Sequence, residues 1–586
     1  MSAIITGVFK VTIGLAATKA RDVLAEKLKE GDVTDQKFRD LIVSDIKDIK
    51  SKLDAMSRKD LGAAVDFFET GLRCLNAAVY GRHSDSAIRR AAQESERNKE
   101  KRLDELTLPS ATSPETTVVL ASRVKNIQLT NLVDEEAKRA LFDAKDRFSD
   151  ARKKATDASN NEALSTFDQI TAIRYRVMAA MLESAADMAV GTAGDLRSTL
   201  KRALPECEQC LQKLHSLPAV QKSFNVEIEK SLLNVRGRFG KDERRDIISI
   251  VCQINRVIYD ATQAAGGDVN ACVWPSVDTD EDKVDPLRDG RISKVLHKVN
   301  MEHCCVTWSF GQQGDEEHKL KNPRGIATNH RGQFLIADDG DKTVKVFDSN
   351  GKFDFRFNPQ TDDADTELYI LDVATADEDD KIYLVVELKK PGAEKWEKEV
   401  QVFNKTGDLQ HKFPVRRGGW GRLTVSSCKK RGKILLLTDY DVVGVHEPSG
   451  EFVCSFGGGV FKNAIDITAT CDGRVMILDW GDDSLYIFDV EGHQLGKFNI
   501  KHERDVYYRI ACHQAIGHVV LACHERETRR LTLAIYTVNG EFVRRIQLDE
   551  KVDFVYGITV TAEGHIAVAL QAITDEGIRK AKVIVV

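Results

Sequence analysis

The strongest constraint on the fold is a change in hydrophobic periodicity near residue 275. Before it, apolar residues recur every three or four positions, as in Leu61, Val65, Phe68, Leu72 and Leu75, which places one apolar stripe on a helix. After it the period is two, which is typical of β-strands. A chain of 586 residues is also too long for one core. The sequence therefore predicts a multidomain chain, α first and then all-β.

The helical part is predicted to be an antiparallel bundle over residues 1–274. Its apolar stripes cover 42–56, 61–79, 137–155 and 242–265, and none continues beyond three heptads. Short stripes favour antiparallel packing over a long coiled coil. Breaks are expected at Asn160, Pro205 and Pro218. We expect this domain to form a homo-oligomer.

The first apolar segment, Ala3 to Ala17, is predicted to be a helix buried in the bundle. Ile4, Val8 and Val11 would share one of its faces. A membrane-inserting helix is the alternative for this segment. No apolar run of 18 or more residues lacks charge, so we expect no membrane-spanning helix.

Residues 275–300 are predicted to be an acidic linker. Between Pro275 and Gly290 the chain carries many aspartates and few core candidates, a composition typical of interdomain segments.

The second half repeats one order of elements. Pro323 to Ala327, Gly332 to Asp338, Val344 to Asp348 and Gly351 return in the same order from Ile465 to Gly492. Gly351, Gly407, Gly450, Gly492 and Gly540 mark the third turn of successive units, at a spacing that fits four-stranded propeller blades. A sixth unit ends at Val586 without a fourth strand. The segment 305–311 is predicted to supply that strand and close the ring.

These motifs, Pro-Arg-Gly-Ile-Ala, Gly-x-Phe-Leu-Ile-Ala-Asp and Val-x-Val-Phe-Asp-x-x-Gly, resemble the NHL repeat of tripartite-motif (TRIM-NHL) proteins. The resemblance covers residues 301–586. It implies a six-bladed NHL-like β-propeller that binds RNA or protein on one face.

A RING or B-box zinc domain is not predicted, because the region before residue 275 has too few Cys and His residues for cross-braced sites. Its one CxxC, Cys207 and Cys210, is interpreted as an incidental helical pair. His513, His518 and His524 fall in one repeat, whereas a metal on a propeller axis needs ligands from several. We therefore expect no catalytic residue, no metal and no cofactor.

The candidate binding site is one face of the propeller, formed by the loops between blades and by the loops between second and third strands. Basic side chains with aromatic neighbours can hold phosphates and stack bases, and can equally bind a peptide. The candidates on this face are Arg324, Lys389, Lys390, Trp396, Arg416, Arg417, Trp420, Arg422, Arg504, Tyr507, Tyr508, Arg526, Arg529 and Arg530.

Charge favours a protein or peptide ligand. Residues 301–586 carry 37 basic and 45 acidic residues, and Asp339, Asp341, Asp482 and Asp483 lie on the same predicted face. The whole chain has a net charge of -6, unlike a protein that coats nucleic acid. An RNA-binding post-transcriptional regulator is the alternative, followed by a ubiquitin-ligase component that works with a RING partner in trans.

Twelve cysteines are scattered along a chain large enough to fold without disulfides, which favours reduced thiols in an intracellular protein. The sequence thus predicts a non-enzymatic cytoplasmic adaptor or scaffold whose propeller binds protein partners.

Overall fold

The computed structural model divides the chain into two compact units, one helical and one β. The described residues are 8, 59–80, 135–190, 195–225, 238–280, 282–292, 307–376, 381–415, 421–426, 432–439, 441–470, 472–500, 505–513, 516–574 and 576–586.

The described part of the helical unit contains helices α1 to α6: α1 Lys59–Tyr80, α2 Glu135–Ser159, α3 Thr166–Val190, α4 Leu196–His215, α5 Pro218–Phe224 and α6 Arg238–Ala264. The predicted stripes at 61–79, 137–155 and 242–265 coincide with α1, α2 and α6, so the prediction of a helical N-terminal region is confirmed. The predicted helices at 3–17 and 42–56 lie outside the described residues, apart from Val8.

Three aromatic side chains form the centre of packing between α1, α2 and α3. The ring of Phe68 lies 5.6 Å from that of Phe148 and 5.3 Å from that of Tyr175, both in edge contacts. A methyl group on Gly71 would lie 2.8 Å from the Phe148 ring, so glycine lets the ring approach α1. Most of α3 is buried on all sides, as expected of a central helix.

Helix α4 corrects one predicted boundary. Asp195 caps its first turn by accepting the Ser198 N–H at 2.7 Å, which satisfies one of the free donors at a helix N-terminus. The helix then continues through Pro205, where a break was predicted. Leu200, Leu204 and Leu211 are buried along one side, and this packing outweighs the hydrogen bond that proline cannot donate. Helix α5 does begin at Pro218, with proline in the first turn.

No described helix is both long enough and apolar enough to cross a membrane.

The β-strands follow in chain order. They are β1 Val277–Asp278, β2 Lys283–Val284, β3 Trp308–Phe310, β4 Pro323–Thr328, β5 Phe334–Asp338, β6 Thr343–Phe347, β7 Phe353–Phe357, β8 Glu367–Thr375, β9 Ile382–Lys389, β10 Glu397–Phe403, β11 Leu409–Val415, β12 Arg422–Ser426, β13 Lys433–Asp439, β14 Val442–His446, β15 Phe452–Phe456, β16 Ala464–Ala469, β17 Arg474–Asp479, β18 Ser484–Asp489, β19 Gln494–Asn499, β20 Asp505–His513, β21 His518–Glu525, β22 Arg530–Thr537, β23 Phe542–Val560, β24 Ile566–Ile573 and β25 Arg579–Val585.

Strands β1 and β2 form a separate two-stranded sheet, and strands β3 to β25 form a β-propeller. Four antiparallel sheets contain β4 to β7, β8 to β11, β12 to β15 and β16 to β19, and a seven-stranded sheet runs β20 to β25 and then β3. Apolar side chains of neighbouring sheets pack face to face. Leu335 and Val346, for example, share a cluster with Val373 and Leu384. The core of this unit therefore lies between sheets, as a propeller requires.

The closing strand was predicted from sequence and is confirmed. In β3, Trp308 pairs with Val585 and Phe310 with Val583, so the segment before the first repeat completes the sheet that ends the chain. Strand β23 is 19 residues long and pairs with β22 in its first half and with β24 in its second. One strand thus joins two successive groups of strands without a loop.

Glycines at the predicted third turns have left-handed backbone conformations. Their φ angles are 75°, 85°, 94°, 92° and 87° at Gly351, Gly407, Gly450, Gly492 and Gly540. Residues with a Cβ rarely adopt this region, and an added methyl on Gly450 would also meet the Phe413 ring of the preceding sheet. These glycines therefore permit both the turn and the close approach of neighbouring sheets.

Part of the segment predicted to be an acidic linker is packed into the propeller unit. Asp285, Arg288 and Asp289 are at most 2% exposed. The Arg288 guanidinium donates to Asp285 at 3.1 Å, and Asp289 accepts the backbone N–H of Gln547 in β23. Their charges are paired inside the protein, so an acidic composition here does not mean a solvated segment. The boundaries proposed for the two domains remain predictions.

Candidate binding face and central channel

The register of the sheets defines one loop-bearing end of the propeller. In the first sheet, Pro323 pairs with Asp338 and Asp338 with Thr343. The start of the first strand therefore lies beside the loop that joins the second and third strands. The same register recurs in the fourth sheet, where Asp479 pairs with Ala464 and Ser484. We call this end the loop face.

A cluster of lysines and aromatic rings lies on the loop face. The rings of Tyr369 and Trp396 are 5.0 Å apart, centroid to centroid. The Lys342 ammonium lies 4.2 Å from the centre of the Tyr369 ring, and the Lys389 ammonium 5.7 Å from that of Trp396. Tyr369 is 41% exposed, although an aromatic ring gains free energy by leaving water. We call these four residues the lysine–aromatic cluster.

A buried carboxylate positions the cluster. Asp339 is 4% exposed and accepts the Lys342 ammonium at 2.6 Å and the backbone N–H of Ile370 at 3.0 Å. Arg324 approaches the same carboxylate at 3.8 Å. Asp339 thus ties the β5–β6 loop to strand β8, which carries Tyr369. The backbone of Lys342 has φ 56°, an uncommon conformation for a residue with a side chain.

Three of the predicted site residues are brought together here. Arg324, Lys389 and Trp396 all belong to this region, while Lys342 and Tyr369 were not predicted. The repeats do contain a signal for Lys342, because this residue lies in the loop directly after the Ala-Asp motif of the first repeat. Trp480 lies in the corresponding loop of the fourth sheet, directly after Asp479, and is 51% exposed. It was not predicted either, although the repeats place it on the same face.

Other predicted basic residues are engaged in ion pairs on the propeller. Lys390 lies 3.1 Å from Glu397, Arg529 lies 2.7 Å from Asp553, and Arg530 lies 3.8 Å from Asp549. Arg526 is exposed. These contacts disperse the positive charge rather than gather it into one patch.

Six predicted site residues have no described side chain. Arg416, Arg417, Trp420 and Arg504 lie outside the described residues, and the side chains of Tyr507 and Tyr508 are likewise not described. Their place in a binding site stays a prediction.

Arg422 differs from the prediction. The sequence predicts it in a loop between blades on the binding face, together with Arg416, Arg417 and Trp420, but its side chain is only 8% exposed and lies 3.6 Å from Asp372. It also donates to the carbonyl of Arg324 at 3.1 Å. Because Arg422 is the first residue of β12 rather than part of the loop, it points into the propeller and not to its surface.

Sequence comparisons identify relatives of the propeller half. No family model matches the chain. Protein brain tumor of Drosophila melanogaster is 21% identical over 206 residues, which cover 35% of this chain and 15% of that protein. The B-box type zinc finger protein ncl-1 of Caenorhabditis elegans is 31% identical over 77 residues, covering 13% of this chain and 9% of ncl-1. The chain therefore matches only a small part of each relative.

These matches fall in the repeat region that forms the propeller. The β unit is a propeller of the NHL type. Among solved structures, a streptogramin B lyase aligns with a TM-score of 0.33 at 13% identity, covering 47% of this chain and 86% of the lyase. The RRP9 WD40 repeats align with a TM-score of 0.34 at 10% identity, covering 48% and 96%.

The centre of the NHL propeller holds a cavity of about 260 Å³ lined by β4, β8, β12, β16, β20 and the second half of β23. Each of these six strands has one residue at an equivalent position. It directly follows a β-bulge in five strands and is the first residue of the strand in β12. The residues at these positions are Gly325, Asp372, Arg422, Asp466, Arg509 and Gly557, which we call the channel ring. Acidic and basic residues alternate through its four charged members.

The charged members of the channel ring are at most 8% exposed. Asp372 accepts the Leu423 N–H at 3.1 Å, and Asp466 accepts the Ile510 N–H at 2.9 Å. Each carboxylate therefore links one sheet to the next. Burial raises the pKa of Asp372 to about 6 against the opposing effect of Arg422, and burial also raises the pKa of Asp466. The arginines compensate only part of the desolvation.

One cysteine pair in the helical unit and one histidine pair in the propeller unit are buried or partly buried. Cys207 and Cys210 are both buried, and burial raises the pKa of Cys210 to about 12, so its thiol is protonated at neutral pH. His513 pairs across the strands with His518, where burial lowers the pKa of His518. Within the described residues no group of three or more His, Cys, Asp or Glu side chains could hold a metal ion.

Proposed function

We propose that this protein is a non-enzymatic adaptor whose NHL propeller binds a protein or peptide partner on the loop face. The observation that supports this most directly is the lysine–aromatic cluster. Tyr369 is 41% exposed on a rigid sheet and stands beside the Trp396 ring. Rigid aromatic side chains that are available for burial are the usual anchors of protein interfaces.

The contacts of the cluster favour a peptide over RNA. The Lys342 ammonium of the cluster is already paired with Asp339, and Lys390, which lies next to Lys389 but outside the cluster, is paired with Glu397. RNA phosphates bound here would lie near carboxylates, on a propeller with a net charge of -8 counted over 301–586. A peptide backbone with an apolar or carboxylate side chain avoids this repulsion, because it can cover the rings and accept from the lysines.

RNA binding is the second candidate function. It is supported by similarity to TRIM-NHL proteins and by the exposed Arg526 together with the predicted Arg416, Arg417 and Trp420. A ubiquitin-ligase role would require a RING partner in trans, and its support is the resemblance alone.

The finer architecture that accompanies this function is a six-bladed ring. Six strand segments line the central cavity, and β23 serves two neighbouring blades in this arrangement. We further propose that the helical half is an antiparallel bundle that forms homo-oligomers. Phe142 and Phe167 are 50% and 45% exposed on its helices, and assembly would bury them. Several propellers in one oligomer would then bind a multivalent partner with avidity.

Site-directed photocrosslinking in the protein's own cells tests the proposed binding face. A photoreactive amino acid replaces Lys342 on the loop face in one full-length variant. In the matched control it replaces Leu495, which is 56% exposed at the opposite end of the fourth sheet. We expect position 342, but not position 495, to form protein adducts. RNA adducts at position 342, or identical adducts at both positions, would refute the proposal.

A further inference from the structure

Two arginines on the loop face share one carboxylate. Arg529 lies in the β21–β22 loop and donates to Asp553 at 2.7 Å. Arg579 is the first residue of β25, and its Nε lies 3.0 Å from the other oxygen of the same carboxylate. Within the described residues, no second carboxylate pairs with either arginine. Two positive charges therefore face one carboxylate. We call these three residues the arginine unit.

The same arrangement occurs in the first sheet. Arg324 and Lys342 share Asp339, at 3.8 and 2.6 Å, and the described part of the chain offers them no second carboxylate. In both places the cationic side chains are at least 40% exposed, whereas the carboxylates are at most 18% exposed. The surplus positive charge therefore faces solvent while the carboxylate is largely covered. We call Arg324, Lys342 and Asp339 the mixed unit.

The backbone at one cation of each unit is strained. Lys342 and Arg529 both lie in a loop between second and third strands, with φ angles of 56° and 57°. This left-handed conformation is uncommon for residues that have a Cβ, and such strain is concentrated at sites that bind ligands. Asp483 has φ 51° in the corresponding loop of the fourth sheet and is acidic. The turn itself therefore does not require a basic residue.

The two units are neighbours on the loop face, with Tyr556 close to both. A methyl group on Gly557, which follows Tyr556 in β23, would lie 2.9 Å from the nitrogen of Ile326 in β4, so these two strands are in contact. Burial raises the pKa of Tyr556, whereas Arg324 and Arg579 lower it. Because charge effects weaken with distance, the Tyr556 hydroxyl lies near a member of each unit. One extended ligand can therefore contact both.

Each unit has an exposed apolar side chain beside it. Ile578 directly precedes Arg579 and is 49% exposed. Tyr369 lies 4.2 Å from the Lys342 ammonium, measured to the centre of its ring. Burial of such side chains by a partner is favourable. The loop face thus combines a surplus cation with an apolar contact at two separate places.

We propose that the loop face binds an acidic peptide segment, whose carboxylates pair with the arginine unit and the mixed unit and whose apolar side chains cover Ile578 and Tyr369. This inference rests on the proposed function, because it specifies the chemistry of the peptide bound there. A guanidinium can donate two parallel hydrogen bonds to one carboxylate. Each unit has one surplus charge, so the segment needs only a few separated carboxylates.

A few separated charges suit a peptide better than RNA. Single-stranded RNA carries a phosphate on every nucleotide, so successive phosphates would approach Asp339 and Asp553 as well as the cations. Ile578 also has no flat ring on which a base could stack. A peptide can instead place a neutral residue opposite each carboxylate of the propeller, which keeps the two surfaces complementary in charge.

Fluorescence anisotropy with the full chain tests the inference. The probe is a fluorescein-labelled peptide of Glu and Leu residues separated by Gly and Ser. The same peptide with Gln in place of Glu, and a labelled oligouridylate, are the control ligands. We expect saturable binding of the Glu peptide that weakens as salt is added, and about tenfold weaker binding of both controls. No binding of the Glu peptide, equal binding of the Gln peptide, or tighter binding of oligouridylate would overturn the inference.

A triple variant removes the arginine unit without leaving a lone charge. Arg529→Gln with Arg579→Gln and Asp553→Asn should bind the Glu peptide about tenfold more weakly than the wild type does. The matched control, Lys352→Gln with Lys405→Gln, removes two exposed lysines from third turns at the opposite end of the sheets. This control should bind as the wild type does. Equal affinities of the two variants for the Glu peptide would overturn the inference.

The photocrosslinking experiment separates failure of this inference from failure of the proposed function. Protein adducts at position 342 without binding of the Glu peptide would reject the acidic segment and leave the adaptor proposal intact. An absence of both adducts and peptide binding would reject both proposals. Adducts together with binding that the triple variant weakens would support both.

Discussion

The Nζ atom of Lys345 lies 2.9 Å from Oδ2 of Asp338, and both side chains are completely buried. The lysine also contacts Asp341 at 2.5 Å and donates to the carbonyl of Lys319. Asp338 accepts the backbone N–H of Asn322 at 2.7 Å. The pair therefore joins the loop before β4 to the β5–β6 loop, the same loop that presents Lys342 to Tyr369.

Replacing Lys345 with methionine should destabilise the propeller by about 3–5 kcal/mol, because Asp338 would remain buried without its cation. Urea unfolding followed by tryptophan fluorescence measures this, since all five tryptophans lie at or after residue 274. The double variant Lys345→Met with Asp338→Asn should lose less than the single one, as no lone charge is left. Additive losses would contradict the account.

Gly325→Ala should also destabilise the propeller, by about 2 kcal/mol, as overpacked side chains do. The new methyl group collides with Oδ1 of Asp372. The same substitution in an Asp372→Ala background should cost less, because the colliding atom is gone. A double-mutant cycle by urea unfolding gives the coupling between the two positions, and a coupling of zero would show that they do not touch.

As the pH rises from 4 to 6, ionisation of Asp372 should lower the free energy of unfolding of the propeller. Its carboxyl has a pKa of about 6 when folded and an ordinary value near ~3.9 when unfolded. The unfolded chain therefore releases this proton first, and stability falls by about 3 kcal/mol as pH rises through the interval. Arg422, Asp466 and the Leu423 N–H are its charged and polar neighbours.

The pH effect of Asp372 is measured as a difference between two proteins. From pH 4 to 6, the free energy of unfolding should fall less steeply for Asp372→Asn than for the wild type. The variant should therefore be more stable, relative to the wild type, at pH 7 than at pH 4. Parallel pH profiles for the two proteins would mean that the carboxyl titrates at its ordinary pKa.

Phe148→Ala should destabilise the helical unit by about 3–5 kcal/mol, because it removes a buried ring of α2 that packs against Phe68 of α1. Unfolding of this unit is followed by far-UV circular dichroism, because no tryptophan precedes residue 274 and fluorescence therefore gives no signal from its helices. Phe67→Ala is the matched control, since that ring is only partly buried and faces Arg147. Its cost should be about 1 kcal/mol, and equal costs would place Phe148 outside the core.

The repeats made much of the β fold predictable. Each third turn requires glycine, and the φ of 94° at Gly450 shows why. The strand before the first repeat could be assigned to the last sheet because that sheet lacked a strand, and Trp308 does pair with Val585. Both features depend on local geometry that recurs at a fixed position.

What the sequence did not reveal depends on contacts between distant segments. Arg422 belongs to a basic run, yet its side chain meets Asp372 of the preceding sheet inside the channel. Asp285 lies in an acidic run, yet Arg288 and the distant Arg544 lie 3.1 and 3.8 Å from its carboxylate. Pro205 stays within a helix because its neighbours are buried. In each case tertiary packing overrides a local preference.

Parallel recovery of crosslinked protein and RNA from one sample of cells tests the central claim most directly. The wild-type chain is compared with the variant Tyr369→Ala, Trp396→Ala and with the control Leu495→Ala. We predict protein adducts from the wild type and the control, their loss from the double variant, and no RNA that depends on the two rings. RNA recovered from the wild type and lost from the double variant, with protein adducts unchanged, would make the loop face an RNA-binding surface and contradict the account.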